Sequence, residues 1–261
     1  MKHVQLLALL FTAGIWVSCD KDDDNDYSQS PQIKSNVVSA AGDLTAAISQ
    51  FRTLLGDPAN TTPGQSAGRR EVNWDGVPAN LTNNNTFPLD FFNNTDPNGP
   101  NGRKRGLVYL NTGAQFRIDS TSFAEIEPTY ADNFKAFSPK RLVTAANTNI
   151  TEIGFKIPGS DTDASVKGFG LVFSDVDNAE YTKVEYFNGS KSLGVFKAPK
   201  RTDANGFSFL GVFFPEEKVT RVKITHGNGV LAAGQKDISD GGTYDLVVMD
   251  DFFYSEPSTS N

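Results

Sequence analysis

Four aspartates stand where carboxylates could gather around a hard cation. Asp175 and Asp177 lie two residues apart at the end of an apolar run, Gly168 to Phe173, and Asp250 and Asp251 interrupt another, Val247 to Tyr254. Side chains alternate between faces in an extended chain, so Asp175 and Asp177 share a face while Asp250 and Asp251 point to opposite ones. One of the closing pair must then face inward or sit at a sheet edge, where a bare charge is costly. Calcium takes about six to eight oxygens, largely from carboxylates and carbonyls. Asp175, Asp177 and one of Asp250 and Asp251, joined by Asn178, make a candidate structural calcium site. The alternative is that one carboxylate hydrogen-bonds a loop backbone and the others face solvent. Asp161-Thr162-Asp163 reads as a turn.

Paired carboxylates also suit glycoside hydrolysis, which needs two of them roughly 5–9 Å apart across the scissile bond. Glu125 and Glu127 share a face if extended, but they precede Pro128 in a segment that reads as solvated. Glu71 and Asp75 flank Trp74. Trp74 and Asp75, with Phe91, Phe92 and Tyr130, are candidate contacts for a glycan, although Trp74 reads more readily as a core residue than as a stacking platform. A nucleophilic relay has one candidate base, His226, and no elbow motif, since the only other histidine is His3. No phosphate-binding loop, dinucleotide fingerprint or HExxH run is present. The chemistry available to these residues is therefore mainly binding.

The 261 residues carry 24 Lys+Arg against 31 Asp+Glu, a net charge of −7, which argues against a nucleic-acid partner. A single cysteine excludes a disulfide framework and a cysteine-rich zinc site. That cysteine closes an N-terminal segment with a basic start (Lys2, His3) and an apolar core from Val4 to Val17, which is too short to span a bilayer. Trp16-Val17-Ser18-Cys19 resembles a bacterial lipobox, with Trp16 in place of the usual aliphatic residue. The resemblance implies a signal peptide over 1–18, lipidation of Cys19, and contact with the membrane through that anchor alone. The run Asp20-Lys21-Asp22-Asp23-Asp24-Asn25-Asp26 repels itself and reads as the start of an extended tether over 19–35. It also resembles the acidic export signal of surface lipoproteins in Bacteroidota, implying an outer-membrane lipoprotein exposed at the cell surface.

The elements that must position the candidate residues follow from periodicity. Asp43 is a plausible N-cap for a helix over 43–56, in which Leu44, Ala47, Ile48, Phe51, Leu54 and Leu55 recur at helical spacing before Gly56. Its stripe suits packing on a sheet edge or plugging one end of a sandwich. Residues 57–106 are loop-rich, with apolar islands at 72–77 and 87–92. Beyond Gly106 about ten strand patterns follow, including Lys183–Phe187 and Ser192–Lys197 joined through Asn188-Gly189, the strongest short hairpin signal available. Strands without intervening helices predict an all-β, antiparallel, jelly-roll-like sandwich over 36–261 with one short N-terminal helix.

Two stretches carry a further resemblance. They are Gly168-Phe169-Gly170-Leu171-Val172-Phe173-Ser174-Asp175-Val176-Asp177 and Val247-Val248-Met249-Asp250-Asp251-Phe252-Phe253-Tyr254, with Arg70-Glu71-Val72-Asn73-Trp74-Asp75-Gly76-Val77 upstream. These resemble a β-sandwich module of secreted and anchored bacterial proteins, some with PEP-CTERM-type sorting tails. The resemblance implies the fold and an extracellular setting and transfers no activity. The expectation is a non-catalytic, lipid-anchored module that binds a glycan or matrix ligand. A structural or assembly component of the envelope, contacting envelope proteins, is the alternative, and a glycoside hydrolase a third reading.

Overall fold

The computed structural model describes residues 33–203 and 206–259. The leader, Cys19 and the tether as far as residue 32 lie outside the described residues. No helix among the described residues is long and apolar enough to cross a membrane.

In chain order the elements are β1 (Asn36–Ala41), α1 (Thr45–Leu55), β2 (Arg69–Val72), β3 (Leu107–Tyr109), β4 (Phe116–Asp119), α2 (Tyr130–Asn133), β5 (Leu142–Ala145), β6 (Ile150–Lys156), β7 (Asp163–Ala164), β8 (Gly168–Ser174), β9 (Lys183–Asn188), β10 (Lys191–Lys197), β11 (Phe207–Phe213), β12 (Arg221–Thr225) and β13 (Val248–Ser255). The strands form two antiparallel sheets. One runs β1-β11-β8-β13-β5-β4, with β2 also on β13; the other runs β10-β9-β12-β6-β3, with β7 on β6. The chain is an antiparallel β-sandwich with a short helix, as the strand pattern predicts. Asn188-Gly189 does close the β9–β10 hairpin. The turn at 111–113 instead carries the chain from β3 in the second sheet to β4 in the first.

Strand β8 shows how one segment is buried on both faces. Phe169, Leu171 and Phe173 enter the core between the sheets, alongside Ile153, Tyr186 and Val222 of the opposite sheet. Val172 faces outward, into a second core under α1 with Phe209, Phe253, Ile48, Phe51 and Leu55. A strand covered twice needs no polar alternation, which accounts for the run GFGLVFS. Gly170 of β8 and Gly211 of β11 lie directly under Phe51, and a Cβ on either would stand 2.7–2.8 Å from its ring. The helix therefore packs across β11 and β8, beside the edge strand β1. It starts at Thr45, and Asp43 accepts a hydrogen bond from the Thr45 N–H at 2.9 Å from just outside the first turn.

A third cluster closes one end of the sandwich: Phe123, Tyr130, Phe134 and Leu142 pack with Leu231, Leu246 and Val248. The long connection from β12 to β13 thereby folds back onto the end of the first sheet. At the C-terminal side, fully buried Arg70 forms a two-pronged ion pair with Glu256 (2.7 and 2.8 Å) and donates to the Lys104 carbonyl at 3.2 Å. A buried guanidinium needs such saturation, and here it fixes the 103–105 segment against β2.

Candidate functional site

The 57–106 loops build a cleft. Phe92 accepts backbone hydrogen bonds from Arg105 (2.7 Å) and Gly106 (2.9 Å), and the Asn94 N–H reaches the Arg103 carbonyl at 2.8 Å. The Tyr254 hydroxyl donates to the Arg105 carbonyl at 3.1 Å, tying this loop to β13. Between the loop and the residues after β2 lies a cavity of about 440 Å³. Val72, Val77, Phe91 and Phe92 supply its apolar lining, with Glu71, Asn73, Arg103 and Arg105 at the polar positions. The Arg103 guanidinium lies 4.2 Å from the Phe91 ring centre, a cation–π contact. Its Nε is buried and has no hydrogen-bond partner. Arg105 donates to the Asn60 carbonyl at 2.7 Å. Glu71 is ion-paired to Arg52 and Arg69, each at 2.7 Å. Burial raises the Glu71 carboxyl, but hydrogen bonds from Arg52 and Arg69 outweigh it and hold it below its ordinary value.

Of the expected ligand contacts, Phe91 and Phe92 line this cleft, although only 3% and 6% exposed. Trp74 packs behind it, fully buried, edge-on to Phe252 at 4.8 Å and to Phe92 at 6.2 Å. Asp75 accepts from the Lys140 N–H and is not part of the cleft wall. Tyr130 belongs to the end cluster, its hydroxyl bonded to the carbonyls of Ala232 and Gln235. Of the acids weighed as hydrolytic, Glu125 pairs with Arg117 at 2.9 Å and Glu127 accepts from the Gly234 N–H at 2.8 Å. The expectation missed Arg103 and Arg105, whose signal is the basic run Arg103-Lys104-Arg105 after the 97–102 turns.

The four aspartates divide into two places. The register of β13 on β8 slips between Asp250 and Phe252, leaving Asp251 in a β-bulge. A bulge breaks side-chain alternation. Both carboxylates consequently reach Ser138, whose hydroxyl is 3.5 Å from Asp250 Oδ1 and 2.6 Å from Asp251 Oδ1. This corrects the expectation that they face opposite ways. Asp250 also accepts from the backbone N–H groups of Phe137 (2.6 Å) and Ser138 (3.3 Å). Burial first, then the Asp251 charge, pushes the Asp250 carboxyl up to about 8, and burial raises Asp251 too.

Asp175 and Asp177 meet Asp237 instead, from the β12–β13 connection, with one carboxylate oxygen from each within 4.8 Å of the other two. Asp245 backs the group, accepting from the N–H groups of Asp177 (3.0 Å) and Asn178 (3.1 Å). Arg201 Nε donates to Asp177 Oδ1 at 2.8 Å and lies 2.9 Å from Asp175 Oδ1. Burial, followed by the neighbouring acids against the pull of Arg201, pushes Asp175 up to about 8. Burial raises Asp245 to about 6 and also raises Asp237. Asp237 and Asp245 escaped the sequence reading because they stand in a Gly-rich loop, more than sixty residues from Asp175.

No protein-family model, curated protein or solved structure matches the chain.

Proposed function

We propose that the chain is a non-catalytic extracellular binding module, anchored through a lipidated Cys19 at the outer membrane and exposed at the cell surface, and that its cleft receives a glycan. The observation that carries this reading is the 440 Å³ cavity, which joins an apolar lining from Phe91, Phe92, Val72 and Val77 to amide and guanidinium groups. Concave sites of mixed apolar and convergent polar character are where small ligands seat. Sugars ask for both, since their C–H faces pack on apolar surface while their hydroxyls need directional partners. The unpaired Arg103 Nε adds a preference for a glycan bearing carboxylate or sulfate, because an arginine fork matches such anions. Glu71 is committed to two arginines, which suits a wall rather than an acid catalyst.

A glycan array probed with the full chain tests the reading, with neutral and acidic glycans as separate arms. Binding concentrated in the acidic arm and lost in Arg103→Ala is expected. Silence in both arms overturns it and leaves the envelope-component reading. The anchor has its own check: fatty-acid labelling of the expressed chain that disappears in Cys19→Ser.

A further inference from the structure

We propose that Asp175, Asp177 and Asp237 form a binding site for a hard divalent cation of the calcium type. One oxygen from each lies within 4.8 Å of the other two, and oxygens across a calcium ion stand at most about 5 Å apart. The Asp175 side chain is wholly buried, and neither of its oxygens accepts a hydrogen bond. Asp177 Oδ2 is likewise buried without a donor. Buried polar atoms are nearly always satisfied, and one oxygen from each of the three carboxylates lies within 4.8 Å of the others, so a cation there would satisfy oxygens that the protein's own donors leave open. Arg201 supplies only part of that need. Its Nε donates to Asp177 Oδ1, and it lies near Asp175 Oδ1 without the alignment of a hydrogen bond.

The surroundings suit a bound ion. Asp245 holds the Asp177 and Asn178 N–H groups, which orients Asp177 without spending its Oδ2. Asp237 accepts from Ser239 N and Leu246 N, both at 2.8 Å, and so is fixed in place. A depression of about 430 Å³ lined by Asp177, Lys200, Arg201, Thr202 and Asp203 offers entry from solvent. An ion here would fasten the β12–β13 connection to the end of β8. The site is independent of the glycan reading, and either can fail alone.

The test is thermal unfolding of the purified full chain in calcium, in magnesium and in chelator, with a calorimetric calcium titration. At a calcium concentration a hundredfold above Kd the midpoint should rise by about 5–10 °C over the chelated protein. Magnesium should do less, because it demands stricter octahedral geometry. Asp175 sits at φ 73°, a conformation asparagine tolerates, so Asp175→Asn should fold, lose the calcium shift and raise the chelated midpoint. Asp177→Asn carries the same test should the first variant fail to fold. Absence of both a shift and titration heat overturns the proposal. So does a shift that persists undiminished in these variants, which would place the ion elsewhere, for example on the acidic run 20–26.

Discussion

Two groups of buried aspartates sit near the ends of neighbouring strands, and they are finished differently. At the β13 bulge, Asp250 and Asp251 meet donors: the N–H groups of Phe137 and Ser138, the Ser138 hydroxyl, and the Asp251 N–H at 2.8 Å from Asp250 Oδ1. Beyond β8, Asp175 meets no hydrogen-bond donor, and half of Asp177 meets none. Burial and a raised carboxyl are common to Asp250 and Asp175. What separates them is the supply of donors, and donors decide whether a buried carboxylate is a structural clasp or an incomplete site.

The strongest way to break this contrast is to delete the clasp. Asp250→Ala leaves the Phe137, Ser138 and Asp251 N–H groups without their acceptor, and should lose about 3 kcal/mol or more in urea unfolding at pH 6. A loss below about 1 kcal/mol would mean that water replaces the carboxylate and that the two groups are alike.

The pH dependence should combine two opposing contributions, the larger from Asp250. Buried His226, between Thr151 and the Val247 carbonyl, is pushed down to about 4, by burial above all. A base with a depressed folded pKa gives stability that is complete above its unfolded value near 6.5 and lost as pH falls toward 4, on the order of 3 kcal/mol. Asp250 works in the other direction. With a folded value of about 8 against about 3.9 unfolded, its contribution is complete below about pH 4 and lost as pH rises toward 8. The two windows overlap, so in chelator His226 offsets the fall from Asp250 between about pH 4 and 6.5, and stability should drop most steeply from about pH 6.5 toward 8. His226→Gln should steepen the fall between pH 4 and 6.5, and Asp250→Asn should reduce the fall toward pH 8 without abolishing it, since Asp175 is also pushed up to about 8, both read from urea midpoints at pH 4–8.5.

Smaller effects sharpen the comparison. Without a cation, Asp175→Asn removes a buried carboxyl pushed up to about 8, whose ionised form is crowded by like charges, and orphans no backbone donor, so a gain of about 1 kcal/mol at pH 7.5 is expected from the same unfolding curves. Smallest is Arg103→Ala, which should alter stability by no more than about 0.5 kcal/mol while abolishing acidic-glycan binding. A large loss there would show that the Arg103–Phe91 contact is structural and would remove the cleft from functional contention.

Legibility in the sequence followed the range of the interactions. The helix over 45–55, the β9–β10 hairpin and the long apolar strands β8, β11 and β13 were readable because periodicity and turn chemistry act over a few residues. Strands β1, β2 and β7 were not, since short edge pieces take their conformation from a partner strand rather than from their own pattern. Half the candidate cleft was visible in Phe91 and Phe92. Tyr130 was misplaced, and Trp74, which fills the core as the favoured of its two readings had it, could stand as a contact as well, because an aromatic looks the same in sequence whether it stacks on a ligand or fills a core.

By itself the sequence determined an apolar N-terminal segment ending at Cys19, an acidic run, and a β-sandwich with one amphipathic helix, all properties of local composition and period. Only the tertiary structure decided which aspartates keep company. A one-residue bulge at Asp251 turned two carboxylates toward one serine, and the β12–β13 connection brought Asp237 and Asp245 to Asp175 and Asp177. Both outcomes rest on strand register and on contacts across sixty or more residues, which the spacing of side chains along the chain does not encode.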